Sequence, residues 1–437
     1  MKTDSLVRKA KGKLTASFYG YLQRIIYMPK KGKLISFIKV IALAFILRLE
    51  DKKAIIGALW TKPSLLSRVA FLVGIAHNIN NLGNSYATSD NNLNHTQRIE
   101  KRVVEWTKKT TRCVRSDNIE GYVTSGGTES NLFLMWSGRE WLKTKNSRSC
   151  YLLVSGFTHY SISKAGRILD LQEIRTPISE ETWGITGETL KTTLKSLYHK
   201  KVRNILLPIT LGYSSTGSFD QLEEMIEAIQ QFQKKNKDFN VFMWIDAAHQ
   251  GLPLAFLDNT FCPFKDKLVQ GLVLDFHKLG GTPIPSGIVL YRGHLRKNIQ
   301  TPIDYLEEDD ATISGSRPGF SALAIWANIN ANSRRRWREE FEMLSKKKQW
   351  FIHRLQRKYP SATVISTQHS LTCAIVIDRE FKRLPTDVEN KFSLNLAAIN
   401  YLSGKSKKRK VLKHYKIHIL PKTRNDLFKL FIRSIDS

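Results

Sequence analysis

Acidic residues are the first shortage. The chain carries 38 Asp and Glu against 69 Lys and Arg, a formal net charge of +31 over 437 residues. Such an imbalance can attract nucleic acid, an anionic membrane or acidic partners. No nucleic-acid motif localises it, so nucleic acid is not an expected partner, and a lysine bias spread over solvated faces is the preferred account. Cysteine is scarce as well. Cys113, Cys150, Cys262 and Cys373 are far apart, and no pair has metal-ligand spacing. That excludes a disulfide scaffold and a zinc module, and the thiols read as reduced in a cytoplasmic compartment. Long apolar runs are missing too. The strongest, Leu34–Leu47, has Lys39 inside it, is short for a spanning helix and begins too late for a signal peptide. Following Lys30, Lys31 and Lys33, it could lie on a membrane surface. A helix buried at a subunit interface is the expectation. Asp4 is the one acid in the first thirty residues, which leaves a transit peptide open.

A hydrophobic fraction of 42% with nine Trp makes the chain globular. Its length suggests one large domain and one smaller one. The expected division is an N-terminal helical segment with a pocket loop (1–95), a large domain (96–325) and a small C-terminal α+β domain (326–437). Residues 1–75 read as basic and mostly helical, broken at Pro29 and Pro63. His77–Asn94 is dense in Asn, Ser and Gly, a loop that either links or lines a pocket. A helix is predicted from Gln97 to about Thr110. Gly121–Ser125 then approaches Gly126-Gly127-Thr128, and helical spacing resumes over Glu129–Glu140. The glycines therefore precede a helix start, where free N–H groups could bind a phosphate. Any tight turn would also use them.

Strands are predicted at Tyr151–Ser155, Ile205–Thr210, Val241–Ile245, Leu272–Leu274 and Ile288–Tyr291, with an amphipathic helix at Leu222–Phe232. This alternation argues for an α/β fold with a mostly parallel sheet, in which ligands bind beyond the carboxyl ends of the strands. His159, Thr210, Asp246 and Lys278 all lie at or just after such ends. Further on, a helical stretch is expected from about Ala322 to Lys358, and strands at Thr372–Asp378 and Ile417–Leu420. Lys405–Lys413 reads as a solvated charge cluster in a polar loop.

Lys278 is the residue that packing explains least. It follows a buried strand and precedes Gly280 and Gly281. Lysine is rarely buried without a reason, and a desolvated, neutral amine attacks carbonyls. A Schiff base to pyridoxal phosphate is the chemistry this suggests. That cofactor needs a lysine for its aldehyde, a carboxylate at its ring nitrogen, a donor nest for its phosphate and a face to stack on. Asp246 can supply the carboxylate and His159 the stacking ring. Gly126, Gly127 and Thr128 can form the nest, with His277 as a further donor.

The motifs TSGGTESN (Thr124–Asn131), THYSISKA (Thr158–Ala165), WIDAAHQG (Trp244–Gly251) and DFHKLGGTPIPSG (Asp275–Gly287) resemble the group II pyridoxal-phosphate-dependent amino-acid decarboxylases. NINNLGN (Asn78–Asn84) and DATISGSRPG (Asp310–Gly319) are most similar to the histidine and serine decarboxylase branch. The resemblance covers roughly Asn78 to Trp326. It implies fold type I, the aminotransferase-like architecture, and a homodimer with active sites at the subunit interface. It also implies a small amino-acid substrate that loses CO2. By matching position, Lys278 is the Schiff-base lysine, Asp246 pairs with the ring nitrogen, Ala248 packs on the ring, and His159 stacks. Ser316 reaches the phosphate of the neighbouring subunit. Thr210 joins the cofactor set, although a strand-end Thr and a buried Ala are common anyway. Family members protonate the product from a mobile loop; Gln300–Ile313 corresponds, and Tyr305 is the candidate donor.

Departures are visible. Gly83-Asn84-Ser85 stands where Gly-Asp-Pro is usual, Ser130 replaces a glycine, and Pro318 an Asn. Ser130 and GSRPG are also similar to sphingosine-phosphate lyases, which share fold and cofactor but cleave a Cα–Cβ bond. A scaffold that keeps the fold to bind anionic partners is a third reading.

Overall fold

Seven strands built on Val, Ile and Leu form the central sheet of the computed structural model. The structure describes residues 17–435 except 30–31, 51–54, 60, 84, 87–95, 114–117, 305–307, 380 and 422. In chain order, β1 is Asn80–Leu82, β2 Ile119–Thr124, β3 Cys150–Val154, β4 Gln172–Arg175, β5 Asn204–Thr210, β6 Asn240–Asp246, β7 Val269–Asp275 and β8 Gly287–Arg292. The large sheet has the order β2-β8-β7-β6-β5-β3-β4. Strands β3 to β7 run parallel, and β8 is antiparallel to both its neighbours.

Both faces of this sheet are covered, which is why its strands read as continuous apolar runs. In β6, Val241, Met243 and Ile245 enter one core while Phe242 and Trp244 enter the other. The alternation is that of side chains along a pleated strand. The helix Gly127–Lys143 lies on the second face. Its Gly138 meets Phe242 and Leu206, and Gly271 of β7 meets Leu134, so closely that neither position has room for a Cβ.

Two small strands escape a reading of sequence pattern. β1, inside the asparagine-rich loop, pairs antiparallel with β11 (Ser316–Pro318), which follows β9 (Thr301–Ile303) and β10 (Glu308–Asp310). Three residues, two of them Asn, whose partners lie over 230 positions away carry no local signal. The expected single helix from Ala322 is two, Gly319–Ala331 and Arg334–Lys358, because Ser333 caps the second by accepting from Arg336 N at 3.2 Å. The C-terminal region holds a four-stranded antiparallel sheet of β12 (Val364–Ser366), β13 (Thr372–Val376), β15 (Arg409–His418) and β14 (Leu396–Leu402). The basic run Lys405–Lys413 is therefore only partly a loop: from Arg409 on it is strand, paired with β14.

The segment Leu34–Leu47 lies in a helix, Lys33–Glu50. Only Ala42 and Ile46 are buried, against Leu22 of helical residues 17–26, while Leu34, Phe37, Val40 and Phe45 are at least half exposed. Among the described residues no helix is long and apolar enough to cross a membrane.

Candidate active site

Parallel pairing aligns the strand ends. Thr210 of β5 sits opposite Asp246 of β6, and Asp246 opposite Val273 of β7. The turns that leave these ends converge on a cavity of about 320 Å³. Gly126, Gly127, Thr128, His159, Thr210, Asp246, Ala248, His277 and Lys278 all line it, so nine residues named from the sequence meet at one place. Ser316 does not. It is exposed, on β11, and its Oγ accepts from Asn80 Nδ2 at 3.2 Å. Tyr305 and Asn84 lie outside the described residues.

Asp246 is buried and held at both oxygens. Oδ2 accepts from Asn131 Nδ2 at 3.0 Å, and Oδ1 from the backbone N–H of Ala248 at 3.1 Å. Asn131 is itself oriented, because its Oδ1 accepts from the indole Nε1 of Trp244 at 2.8 Å. An indole only donates, so the amide nitrogen must face Asp246.

His159 caps the helix Tyr160–Ile168, and its Nδ1 accepts from Ser161 N at 3.3 Å. Burial holds its pKa below the ordinary histidine value. The carboxylates of Asp246 and Asp275 oppose that shift, while Lys278 and Lys416 add to it. The ring is thus neutral at neutral pH, with its proton on Nε2.

Lys278 belongs to a single helical turn, Phe276–Leu279, and its Nζ lies 3.0 Å from Asp275 Oδ2. His277 Nδ1 donates to the carbonyl of Ser286 at 3.2 Å, and Nε2 is 3.6 Å from Asp275 Oδ2. At the opposite wall, Asp220 holds Thr210 in place by accepting from Thr210 N, Ile185 N and Tyr213 Oη, each at 2.7 Å. Burial pushes the Asp220 carboxyl up to about 6.

Three site residues have no role in the sequence reading. Asn131 lies one turn beyond Gly127 on the same helix, and that spacing of four could have found it. Asp275 lies three residues before Lys278, which gives the same kind of clue. His249 has no signal in sequence. Gln250 Oε1 accepts from Leu371 N at 3.0 Å, so Gln250 Nε2 faces His249 Nδ1 at 3.1 Å and must donate to it. The imidazole proton then sits on Nε2, buried without a hydrogen-bond partner. Among the described residues no cluster of His, Cys, Asp or Glu could hold a metal ion.

Comparison with known proteins gives the site a context. A model of the pyridoxal-dependent decarboxylase conserved domain matches residues 66–374. The histidine decarboxylase of Vibrio campbellii is 31% identical over 238 residues, which are 54% of this chain and 58% of that protein. The tryptophan decarboxylase of Clostridium sporogenes is 27% identical over 299 residues, 67% of this chain and 70% of that one. The match thus spans less than two thirds of the length of the Vibrio campbellii enzyme. In structure, the chain is similar to L-methionine decarboxylase from Streptomyces sp.590, with a TM-score of 0.77 at 16% identity, covering 93% of this chain and 95% of that one. Sphingosine-1-phosphate lyase of Burkholderia pseudomallei gives 0.70 at 15%, covering 94% and 91%. These likenesses establish the pyridoxal-enzyme α/β fold.

Proposed function

Since the chain belongs to the pyridoxal-dependent decarboxylase family, we propose that it removes CO2 from an L-amino acid and releases the amine, with pyridoxal phosphate carried on Lys278. One observation carries the reading. A buried, doubly held carboxylate, Asp246, and the amine of Lys278 line the same cavity as the glycine nest that opens the helix Gly127–Lys143.

The residues fit the cofactor. Asp246 would meet the ring nitrogen, Ala248 and His159 its two faces, and Thr210 its polar edge. Gly126, Gly127, Thr128 and His277 would receive the phosphate, joined by Ser316 of a neighbouring copy. Bound pyridoxal phosphate supplies an aldehyde for amines and a ring that accepts the electron pair left behind as CO2 departs. Asp246 would keep a proton on the ring nitrogen, by the attraction of an anion for the protonated form. Neutral His159 would cover the ring face without adding a charge that competes with that pairing. Lys278, whose amine would hold the cofactor, would take up or return the proton of the substrate amine. Tyr305, in the Gln300–Ile313 stretch of the sequence, would protonate the carbon from which CO2 leaves.

The working unit on this reading is a homodimer, in which residues 96–325 bind the cofactor and 326–437 form the smaller domain. The outward apolar residues of Lys33–Glu50 and of the helix Leu65–Ala76 support it. A cytoplasmic location agrees with four cysteines that stand far apart in the sequence, no two at metal-ligand spacing.

Release of CO2 from a panel of L-amino acids tests the function. Active protein is yellow, with an absorbance band that borohydride bleaches and that Lys278→Ala lacks. An aldehyde product in place of CO2 would make it a lyase. A colourless protein that binds polyanions would make it a scaffold.

A further inference from the structure

A carboxyl group of the chain's own, Asp275, lies against the nest that would receive the cofactor's phosphate. The Asp275 side chain is 3% exposed; Oδ2 pairs with Lys278, and Oδ1 is buried with no hydrogen-bond partner. Three glycines surround this carboxylate. A Cβ on Gly127 would lie 3.2 Å from Oδ2, one on Gly287 2.8 Å from Oδ1, and one on Gly126 3.9 Å from Oδ1. Gly126 and Gly127 open a 17-residue helix, whose free N–H groups and dipole favour negative charge.

The other charges around Asp275 are few. His277 and Lys278 share its turn. His159, whose pKa responds to Asp275, faces it across the cavity. Asp246 ends the adjoining strand and is engaged by Asn131 and Ala248. Glu129, on the nest helix, accepts from Ser125 N. Thr124 and Gly287, on β2 and β8, bring no charge.

Resting on the pyridoxal phosphate reading, we infer that Asp275 makes cofactor loading proton-linked. A carboxylate and a phosphate dianion cannot both stay charged in one buried nest. As the phosphate enters, Asp275 releases Lys278 and takes a proton from solvent onto its carboxyl oxygen. The resulting O–H donates to a phosphate oxygen. No covalent bond other than that O–H bond is made or broken. The residue that restrains Lys278 before loading becomes a phosphate ligand after it.

Pyridoxine 5′-phosphate and pyridoxine separate this step from condensation, because neither has an aldehyde. Calorimetry on the full chain, in two buffers of different ionisation heat, reads the protons taken up. Between about pH 7 and 8.5 the free phosphate ester is already a dianion. Pyridoxine 5′-phosphate should take up about one proton per site, with affinity falling up to about tenfold per pH unit. Pyridoxine should take up none. Asp275→Asn should abolish the uptake and bind the phosphate ester about tenfold more tightly at the alkaline end. If that variant does not fold, Asp275→Ser serves, and the two ligands on the wild-type chain already decide. Binding of the phosphate ester without proton uptake, or equal uptake in the variant, overturns the role of Asp275 alone. If neither ligand binds, the cofactor reading falls and this inference with it.

Discussion

Arg317 and Glu100 form a buried ion pair that ties the approach to the site together. Arg317 Nη2 donates to Glu100 Oε2 at 3.0 Å, Nη1 donates to Oε1, and the two side chains are 3% and 0% exposed. The pair also grips its surroundings. Glu100 Oε1 accepts from Val123 N at 2.7 Å, while Arg317 donates to the carbonyls of Val123 and Gly83. One contact thereby fixes the asparagine-rich loop, the strand feeding the glycine nest and the Ser316-Arg317-Pro318 segment.

Removing one partner strands the other. Arg317→Met should destabilise the protein by about 3–5 kcal/mol, and the Arg317→Met/Glu100→Leu double variant by less, because no buried charge is left alone. Urea unfolding with linear extrapolation measures both. A double variant as unstable as the single one would remove the pair from this role.

Asn131 joins Trp244 to Asp246, so Asn131→Ala leaves an indole N–H unpartnered and takes a donor from the carboxylate. The expected loss is about 1–3 kcal/mol of stability. If Asp246 serves the ring nitrogen as proposed, cofactor binding weaker by roughly tenfold should accompany it, since a loosely held carboxylate would lose its single geometry. Fluorescence titration with pyridoxal phosphate reads the second effect. Unaltered affinity would show that Asp246 is held well enough by Ala248 alone.

Three buried histidines make the fold acid-sensitive. Burial pushes His414 down to about 4 and His418 down to about 3, and it lowers His249 well below the ordinary value, with His418, Lys278 and Lys416 adding to that shift. In the unfolded chain histidines take up protons near pH 6.5. Between that value and about 4 the unfolded state therefore binds more protons than the native one. Stability is fully present above about pH 6.5 and is lost as pH falls toward 4. Thermal unfolding from pH 7.5 to 5 should show a falling Tm, with a shallower slope in His418→Gln. A Tm that stays level across this range would contradict the neutral assignments.

The helix Leu65–Ala76 has two apolar faces with different fates. Phe71 packs edge-on against Phe320 at 4.7 Å, and Gly74 lies against the same residue. Leu65, Leu66, Val69, Leu72 and Val73 point outward, 48–66% exposed. If these outward residues face a second copy, Leu72→Glu should shift the protein from dimer to monomer in sedimentation and lower CO2 release with it. A wild-type chain that sediments as a monomer would end the dimer proposal.

Tyr305→Phe should slow release of the amine or divert turnover into oxidative side products, as expected of a missing acid at the product carbon. Single-turnover kinetics with product analysis distinguishes these outcomes. Unchanged kinetics would remove the assignment.

Much of the site was legible because its residues sit at places where local sequence and chemistry coincide. The strand β7 ends three residues before Lys278, the nest glycines precede a helix with clear spacing, and Asp246 ends a continuous apolar strand. The small strands β1 and β11 and the break at Ser333 were not legible in this way. A strand of three residues exists only because its partner is brought to it, and a cap interrupts a helix whose apolar spacing runs on across it.

The sequence by itself determined the class of chemistry. A strand-end lysine, a strand-end carboxylate and a glycine nest are local features, and parallel pairing of apolar strands leaves their ends one place to meet. Only the tertiary structure decided how these groups are restrained. That Asp275 lies against the nest depends on Gly126-Gly127 and Gly287 approaching it from two different segments. That Asn131 turns its amide nitrogen to Asp246 depends on Trp244, which lies on the same strand as Asp246 and 113 positions from Asn131. That His249 carries its proton on Nε2 depends on Leu371, 122 positions away. Such relationships come from side chains distant in sequence, with directions set by packing, and no pattern along the chain encodes them.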